Sequence, residues 1–530
     1  MNADRLKILG TFALVILIIL SSKARRIYSE PEIKQTQKFV QSKIMVHYMP
    51  WFESKPFSGD WGYHWTLGSK NPEKIDEKGK REIASHFYPL IGPYDSFDPD
   101  LMEYHVLLMK LAGIDGMIVD WYGIEDYYDY ALLHRNTSLA FEYANKAELE
   151  FAICYEDRTI FNMVNDNYFS TDNAVPHARQ VMQFLQENWF NQSHYLKVND
   201  RPILLNFGPI YFNSPAQWDN IFTVLQPKPY FFTLHWGMPA PQTAPYPWVY
   251  LEPGQTGGPT QEQVERFFNE FFQYVVPNRE VVIGAAFPGF QDYYKEAGSG
   301  ESYGYLNPRD GQTFTTSLTK SLAYNSDIIQ VITWNDFGEG TNVEPAEEYG
   351  YSYLEIIQNL RREYIDTAFL FTNEELALPK QIHDFRKSYT DNQDIMTKLD
   401  EVFAHIVSGE LSQAKDLLNE ISTLTSVQIE SGELPNKFRL SQNYPNPFNP
   451  TTTITYTIPE LQNQSPVKLE ITNLLGQKVH TLVNTKLRAG TYTIQWNGID
   501  SNGLIVSSGV YIYRLVAGDL VHRKKMILMR

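Results

Sequence analysis

Eight short apolar runs between residues 44 and 338 constrain this chain's fold more than any other feature. They read IMVHYMP (44–50), IDGMIVDWYG (114–123), LEFAICYED (149–157), RPILLNFG (201–208), YFFTLHWG (230–237), WVYLEP (248–253), VVIGAAFPGF (281–290) and IIQVITWNDFG (328–338). Each is nearly continuous rather than alternating, which is how a strand reads when both its faces are covered. Helical patterns fill the gaps at 174–190, 261–275 and 312–324. A further helix is fully signed: Asp98 caps it, Pro99 opens it, Met102, His105, Val106 and Met109 follow at helical spacing, and Gly113 lies past its end. Eight such units over 43–365 predict a (β/α)8 TIM barrel, a fold of about 250 residues before insertions. A doubly wound open sheet is the other arrangement of these units, but no G-x-G-x-x-G follows the first run.

The pattern then changes twice. In 366–435 the stretch LDEVFAHIVSGELSQAKDLLNEI (399–421) puts Leu399, Val402, Phe403 and Ile406 on one face. After Gly409, Leu411, Ala414, Leu418 and Ile421 repeat it, which predicts a helical hairpin. TSVQIESGELPN (425–436) is polar and turn-rich, and reads as a linker. From 437 to 530 short alternating strands separated by turn residues predict an immunoglobulin-like β-sandwich.

The N-terminus carries Arg5 and Lys7 ahead of an apolar run at 8–20. That run is short of the roughly 20 residues a membrane span needs and suits an export signal over 1–26, with Ser22 and Ala24 before a cut after Ala24. An uncleaved anchor is the other reading. Either way, membrane contact is expected only during export or through surface attachment. The net charge of −17 argues against a nucleic-acid partner. The single cysteine, Cys154, excludes an intramolecular disulfide and reads as core.

Active sites of (β/α)8 barrels lie at the C-terminal ends of the strands. The residues closing the runs are therefore the candidates. They are His47, Tyr48 and Trp51 on the first, Asp120, Trp121 and Tyr122 on the second, and Tyr155, Glu156 and Asp157 on the third. Asn206 closes the fourth, His235 and Trp236 the fifth, Glu252 the sixth, and Trp334, Asn335, Asp336 and Glu339 the eighth. Carboxylates for acid and base work and flat aromatic faces for sugar rings are what a glycosidase combines. Aromatics make up 14% of the chain, in keeping with a glycan ligand. Asp157 reads as the N-cap of the next helix. His47 and His235 divide evenly between core packing and sugar contact. Asp336 and Glu339 are the candidate catalytic pair, brought to one face by a turn at Gly338 and Gly340. No H-E-x-x-H, C-x-x-C or P-loop spacing is present, so neither a metal nor a cofactor is expected.

VHYMPWF, GIDGMIVDWYG and ITWNDFGEGTNVEPA resemble glycoside hydrolase families 99 and 71, over about 43–365. Family 99 comprises endo-α-mannosidases on a (β/α)8 barrel, and family 71 comprises α-1,3-glucanases. The family 99 motif N-E-W-H-E-G-T-x-I-E-P falls on Asn335 to Pro345, with Asp336 in place of the first glutamate. The family 71 pattern W-N-D-[YF]-G-E falls on Trp334 to Glu339. The resemblance implies that Asp336 acts as base on a sugar 2-hydroxyl, giving a 1,2-anhydro sugar, and that Glu339 is the general acid and base. Tyr48, Trp51, Asp120, Trp121, Tyr122, Glu156, His235, Trp236, Glu252, Trp334 and Asn335 are the expected substrate contacts. LSQNYPNPFNPTTTITYTIP, LLGQKV, SSGVYIYRL and KKMILM resemble the C-terminal sorting domain of type IX secretion, which implies that machinery as a partner. The expectation is a secreted or surface-held hydrolase of α-mannan or α-glucan. The alternative is a non-catalytic glycan-binding protein that retains the barrel.

Overall fold

The computed structural model describes residues 40–235, 244–252, 257–425, 428–430, 438–459, 465–487, 490–501, 504–518 and 520–529. The expected export signal at 1–26 and Trp236 lie outside the described residues. The chain divides into two compact units, Met1–Thr390 and Asp391–Arg530.

The first unit is built on eight parallel strands: β1 (Lys43–Tyr48), β2 (Gly116–Trp121), β3 (Glu150–Tyr155), β4 (Arg201–Asn206), β5 (Tyr230–Leu234), β6 (Ala244–Tyr246), β7 (Ile283–Ala286) and β8 (Ile328–Val331). Hydrogen bonding runs unbroken in the order β6-β5-β4-β3-β2-β1-β8-β7. β6 and β7 lie side by side without ladder bonds, so the sheet is a barrel with one open seam. The doubly wound alternative is excluded, because the strands from β1 to β6 follow one another in chain order and β6 comes round to lie beside β7. Every residue of β2 is buried, as a strand covered on both faces requires.

The outer layer includes α1 (Pro99–Ala112), α2 (Tyr130–Lys146), α3 (Ala174–Asn188), α4 (Gln261–Glu270), α5 (Gln312–Ala323) and α6 (Ser352–Leu360). α1 starts and stops where its sequence signals place it. The Asp98 carboxylate accepts from Asp100 N at 3.0 Å, and Gly113 takes a left-handed φ of 77°. A further helix, α7 (Leu378–Ser388), packs on α1 through Arg386, whose guanidinium donates to both Glu103 oxygens at 2.7 and 2.8 Å. Residues 366–390 therefore belong to the barrel unit rather than to a linker.

Two strand expectations need correction. The sixth strand is Ala244–Tyr246, not WVYLEP at 248–253. Pro247 follows it at once and has no N–H to extend a ladder. In the second unit, Gln428–Glu430 (β9) lies within the expected linker yet pairs with Thr491–Thr493. Ladder bonds use backbone groups, so a polar sequence is no bar at a sheet edge.

The remaining strands are β10 (Arg439–Leu440), β11 (Thr452–Ile458), β12 (Ser465–Asn473), β13 (Lys478–Leu487), β14 (Gly490–Trp496), β15 (Gly509–Ala517) and β16 (Leu520–Leu528). They form two antiparallel sheets, β9-β14-β11-β10 and β13-β12-β15-β16. β11 alternates strictly between buried and half-buried positions, and Ile454, Tyr456, Leu469, Ile471, Tyr513 and Leu515 share one core. The unit also holds the helical pair α8 (Gln393–Val407) and α9 (Leu411–Thr425), which bury Leu399, Val402 and Ile406 with Ala414, Leu418 and Ile421. Among the described residues, no helix is long and apolar enough to cross a membrane.

Candidate active site

The segment after β8 folds back onto the barrel mouth. Trp334 N donates to His47 O at 2.7 Å, and the Asn335 side chain bonds both backbone groups of Met49, at 2.8 and 3.0 Å. These contacts pin the segment to the end of β1. Thr333 Oγ1 then accepts from Asp336 N at 2.8 Å, and Asp336 Oδ1 accepts from Glu339 N at 3.0 Å. The turn this closes brings the two carboxylates to one cleft, although residues three apart in an extended strand would face opposite ways. Gly340 makes the turn possible. Its φ is +64°, and a Cβ there would stand 2.7 Å from Gln291 O. The loop after β7 braces the turn from the other side, with Gln291 N on Glu339 O and Tyr293 N on Gly338 O, each at 2.9 Å.

The two acids have unlike surroundings. Asp336 is 5% exposed, and burial raises its carboxyl to about 7. The backbone N–H groups of Glu339 and Gly338 oppose that rise by stabilising the ionised form. Burial, then the charge of Asp336, holds Glu339 well above the usual carboxylate range. Tyr294 donates its hydroxyl to Glu339 Oε1 at 3.1 Å. A buried pair with one backbone-supported carboxylate and one proton-retaining neighbour has the protonation pattern of a base beside an acid.

Two more acids line the neighbouring strands. Tyr122 donates to Glu156 Oε1 at 3.2 Å and also hydrogen-bonds Asp120. Burial raises Glu156 to about 7 against the pull of the Arg158 guanidinium, 4.0 Å away. Asp120 is raised by burial and by the charge of Glu156, and the charge of Asp336 also reaches it.

The structure thus brings together Asp120, Tyr122, Glu156, Asp336 and Glu339. Trp51 stands half-buried, stacked on His64 at 4.0 Å. Other expected contacts are turned away, because alternate residues of a strand face opposite sides. His47 and Asp120 face the barrel interior, so Tyr48 and Trp121 face the helices. Tyr48 lies 3.1 Å from His105 Nδ1 on α1, and Trp121 is packed among His134, Phe184 and Trp189. His235 packs on Phe267 of α4. Trp334 is fully buried against His105, and Asn335 spends its amide on the chain of β1. Glu252 is bonded by Tyr250, six residues beyond the end of β6.

Asp157 does not cap the helix it precedes. Its carboxylate instead accepts from three backbone N–H groups in the loop after β4: Ile210 at 2.8 Å, Tyr211 at 2.7 Å and Phe212 at 2.9 Å. Glu344, from the same motif as the acid pair, is buried and engaged by Tyr94 at 2.6 Å and His105 at 3.3 Å. The residues that strand-end reasoning missed are Asp292 and Tyr294, carried by QDYY directly after the seventh run. Asp292 adds to the field on both carboxylates of the pair. The nearby GESYG (300–304) has the spacing of a hydrolase nucleophile elbow, but Ser302 sits in an irregular loop and donates to Asp292 at 2.9 Å.

Inside the barrel, His47, Asp120 and Cys154 bring a nitrogen, an oxygen and a sulfur within 4.8 Å of one another. Such a donor set can hold a divalent cation such as zinc. Burial lowers His47 to about 3, leaving its imidazole neutral, and raises the Cys154 thiol.

Three family models match parts of the chain. A model of glycosyl hydrolase family 99 matches residues 39–226, one of the FlgD Ig-like domain matches 448–519, and one of a domain of unknown function, DUF5010, matches 260–376. The chain is 22% identical over 337 residues to the glycoprotein endo-alpha-1,2-mannosidase of Rattus norvegicus, covering 57% of this chain and 68% of that one. The corresponding Mus musculus protein is 21% identical over 364 residues, covering 62% and 72%. The protein is a glycoside hydrolase. Among solved structures, the GH99 endo-alpha-mannosidase from Bacteroides thetaiotaomicron is similar at 16% identity and a TM-score of 0.46, covering 62% of this chain and 98% of that one. In this hydrolase, the matched span 39–226 holds β1 to β4, while the Asp336–Glu339 turn lies beyond it.

Proposed function

We propose that the hydrolase is an endo-acting α-mannosidase that cuts α-mannan through the 2-hydroxyl of its own substrate. The observation that carries this reading is the Asp336–Glu339 turn, with a backbone-supported carboxylate beside one that retains its proton. Asp336 takes the proton of the sugar 2-hydroxyl as O2 attacks C1. Glu339 gives its proton to the departing glycosidic oxygen. The 1,2-anhydro sugar is then opened by water, whose proton goes to Glu339 while Asp336 returns its own to O2. The anomeric configuration is retained. Stereochemistry favours mannose over glucose here. In an α-mannoside O2 and the leaving oxygen are trans-diaxial, so O2 reaches C1 from the rear. In an α-glucoside the 2-hydroxyl is cis to the leaving group and has no such approach. Asp120, Tyr122 and Glu156 bind sugar hydroxyls, and Trp51 borders the cleft.

The C-terminal β-sandwich and the N-terminal apolar run support export by type IX secretion and attachment at, or release from, the cell surface. Fractionation of cells expressing the chain with and without 437–530 tests this. Retention of both forms inside the cell would refute it.

Product analysis of the purified full chain on α-mannans and α-1,3-glucan tests the catalytic reading, with Glu339→Gln beside it. Release of oligosaccharide from mannan alone, lost in the variant, is the expected result. Tight glycan binding without release by the unmodified protein would leave a binding cleft instead of an active site.

A further inference from the structure

The mechanism uses Tyr122 as one wall of the cleft, but the aromatic series that begins there continues outward. Tyr122, which donates to Glu156, stacks on Tyr130 with ring centroids 5.5 Å apart and planes inclined by 21°. Tyr130 lies 5.9 Å from Tyr127 and 5.8 Å from Tyr128. Tyr127 in turn contacts Tyr128 at 4.3 Å and Tyr168 at 5.0 Å. The outer two rings are open to solvent, Tyr128 at 44% and Tyr168 at 50%. An unbroken run of rings therefore connects the wall of the active site to the barrel's surface.

This outer group is built rather than incidental. The Tyr127 and Tyr128 hydroxyls both donate to the same oxygen of Asp166, which lies at the end of the helix Arg158–Asn165 after β3. The loops that follow β2 and β3 are thus fastened together through tyrosine hydroxyls, leaving ring surface free. Tyr128 also holds a backbone φ of 50°, an uncommon conformation for a bulky side chain. Beside Tyr128 opens a cavity of about 520 Å³, whose lining includes Glu53, Asp129 and Arg135. That volume is in the range of small-ligand pockets, roughly 300–1,000 Å³. Exposed ring faces offer negative π density to the C–H face of a pyranose. Carboxylates and a guanidinium at their side offer acceptors and donors to its hydroxyls. That pairing suits a carbohydrate better than an apolar peptide or a lipid surface.

We propose that Tyr127, Tyr128 and Tyr168, with the adjoining cavity, form a remote glycan subsite that holds polysaccharide beyond the scissile bond. This rests on the reading of the barrel as an α-mannan hydrolase. It makes the enzyme a chain-length reader: a long substrate engages both the cleft and the outer rings, whereas a short one engages only the cleft.

The test compares the full chain with a Tyr128→Ala/Tyr168→Ala double variant and with Tyr168→Phe. Both positions are exposed, and thermal melting checks that each variant folds. The ratio of kcat/KM on α-mannan polymer to kcat/KM on an α-mannobiosyl fluoride is expected to fall about tenfold in the double variant, through KM for the polymer. Tyr168→Phe keeps the ring and is expected to keep the ratio. A double variant with an undiminished ratio overturns the proposal. A second readout stands apart from catalysis: in the Glu339→Gln background, polymer in a native gel is expected to retard the protein, and the double substitution to abolish that retardation. Equal retardation with and without the two rings, or none in either, also overturns it. If the unmodified chain cuts neither substrate yet is retarded through the two rings, the catalytic reading fails while the subsite stands.

Discussion

The backbone N–H of Glu339 donates to the carboxylate of Asp336 at 3.0 Å, so the turn that carries one acid stabilises the ionised form of the other. The pair works only with Asp336 ionised and Glu339 protonated. With Asp336 raised to about 7 and Glu339 held well above the usual carboxylate range, kcat/KM is expected to climb between pH 6 and 8 as Asp336 ionises. An acid limb near the ordinary carboxylate value of about 4 would contradict this assignment. Glu339→Gln is expected to abolish the basic limb and lower kcat by about 10²–10⁴-fold, the usual contribution of a positioned general acid.

The same shifts make the site a source of instability. Both carboxyls have folded values above their unfolded ones of about 4, so the folded protein binds more protons than the unfolded one above that pH. Their contribution is complete below pH ~4 and is lost as pH rises through the raised folded values, about 7 for Asp336. Neutral isosteres escape this loss. Asp336→Asn and Glu339→Gln are expected to melt higher than the unmodified chain at pH 8 and to show little difference at pH 4.5. A gain that is larger at the acid pH would reverse the sign and refute the burial argument.

Tyr294 tunes Glu339. Its hydroxyl, 3.1 Å from Oε1, favours the carboxylate form and so opposes the upward pull of burial. Tyr294→Phe is expected to move the basic limb of the kcat/KM profile to higher pH and to cost less than about tenfold in kcat at pH 7. A limb that moves down, or stays fixed, would mean that the hydroxyl does not act on Glu339.

Much of the fold was legible in the sequence, because parallel strands buried on both faces leave continuous apolar runs, and seven of the eight runs overlap observed strands. The exception, at 248–253, shows the limit: Trp248 and Val249 are buried without being strand, so apolarity reports burial and not the ladder. At the site, strand ends located the acids but not their direction. Asp120 and Trp121 are neighbours, yet one faces the cavity and the other the helices, and no residue type encodes that parity. Gly340 was legible as a turn former, while Gly338 needs no positive φ. Tyr294 was hidden because its partner is 45 residues away, on the other side of a helix and a strand.

Asp157 carries a last expectation, about the scaffold instead of the chemistry. Its buried carboxylate accepts from the N–H groups of Ile210, Tyr211 and Phe212, the loop that leads away from β4. No other acceptor for those three groups is present among the described residues; Phe212 is buried, Ile210 and Tyr211 are half-buried, and a buried donor left unsatisfied costs about 1–3 kcal/mol. Asp157→Ala is expected to lower stability by about 3–5 kcal/mol, read as an earlier urea midpoint with an unchanged slope. Asp157→Asn retains one acceptor oxygen and is expected to lose roughly half as much. If the alanine variant instead unfolded at the same urea concentration as the unmodified chain, water would have to satisfy the three N–H groups equally well, and the carboxylate's hold on the loop would have no energetic consequence.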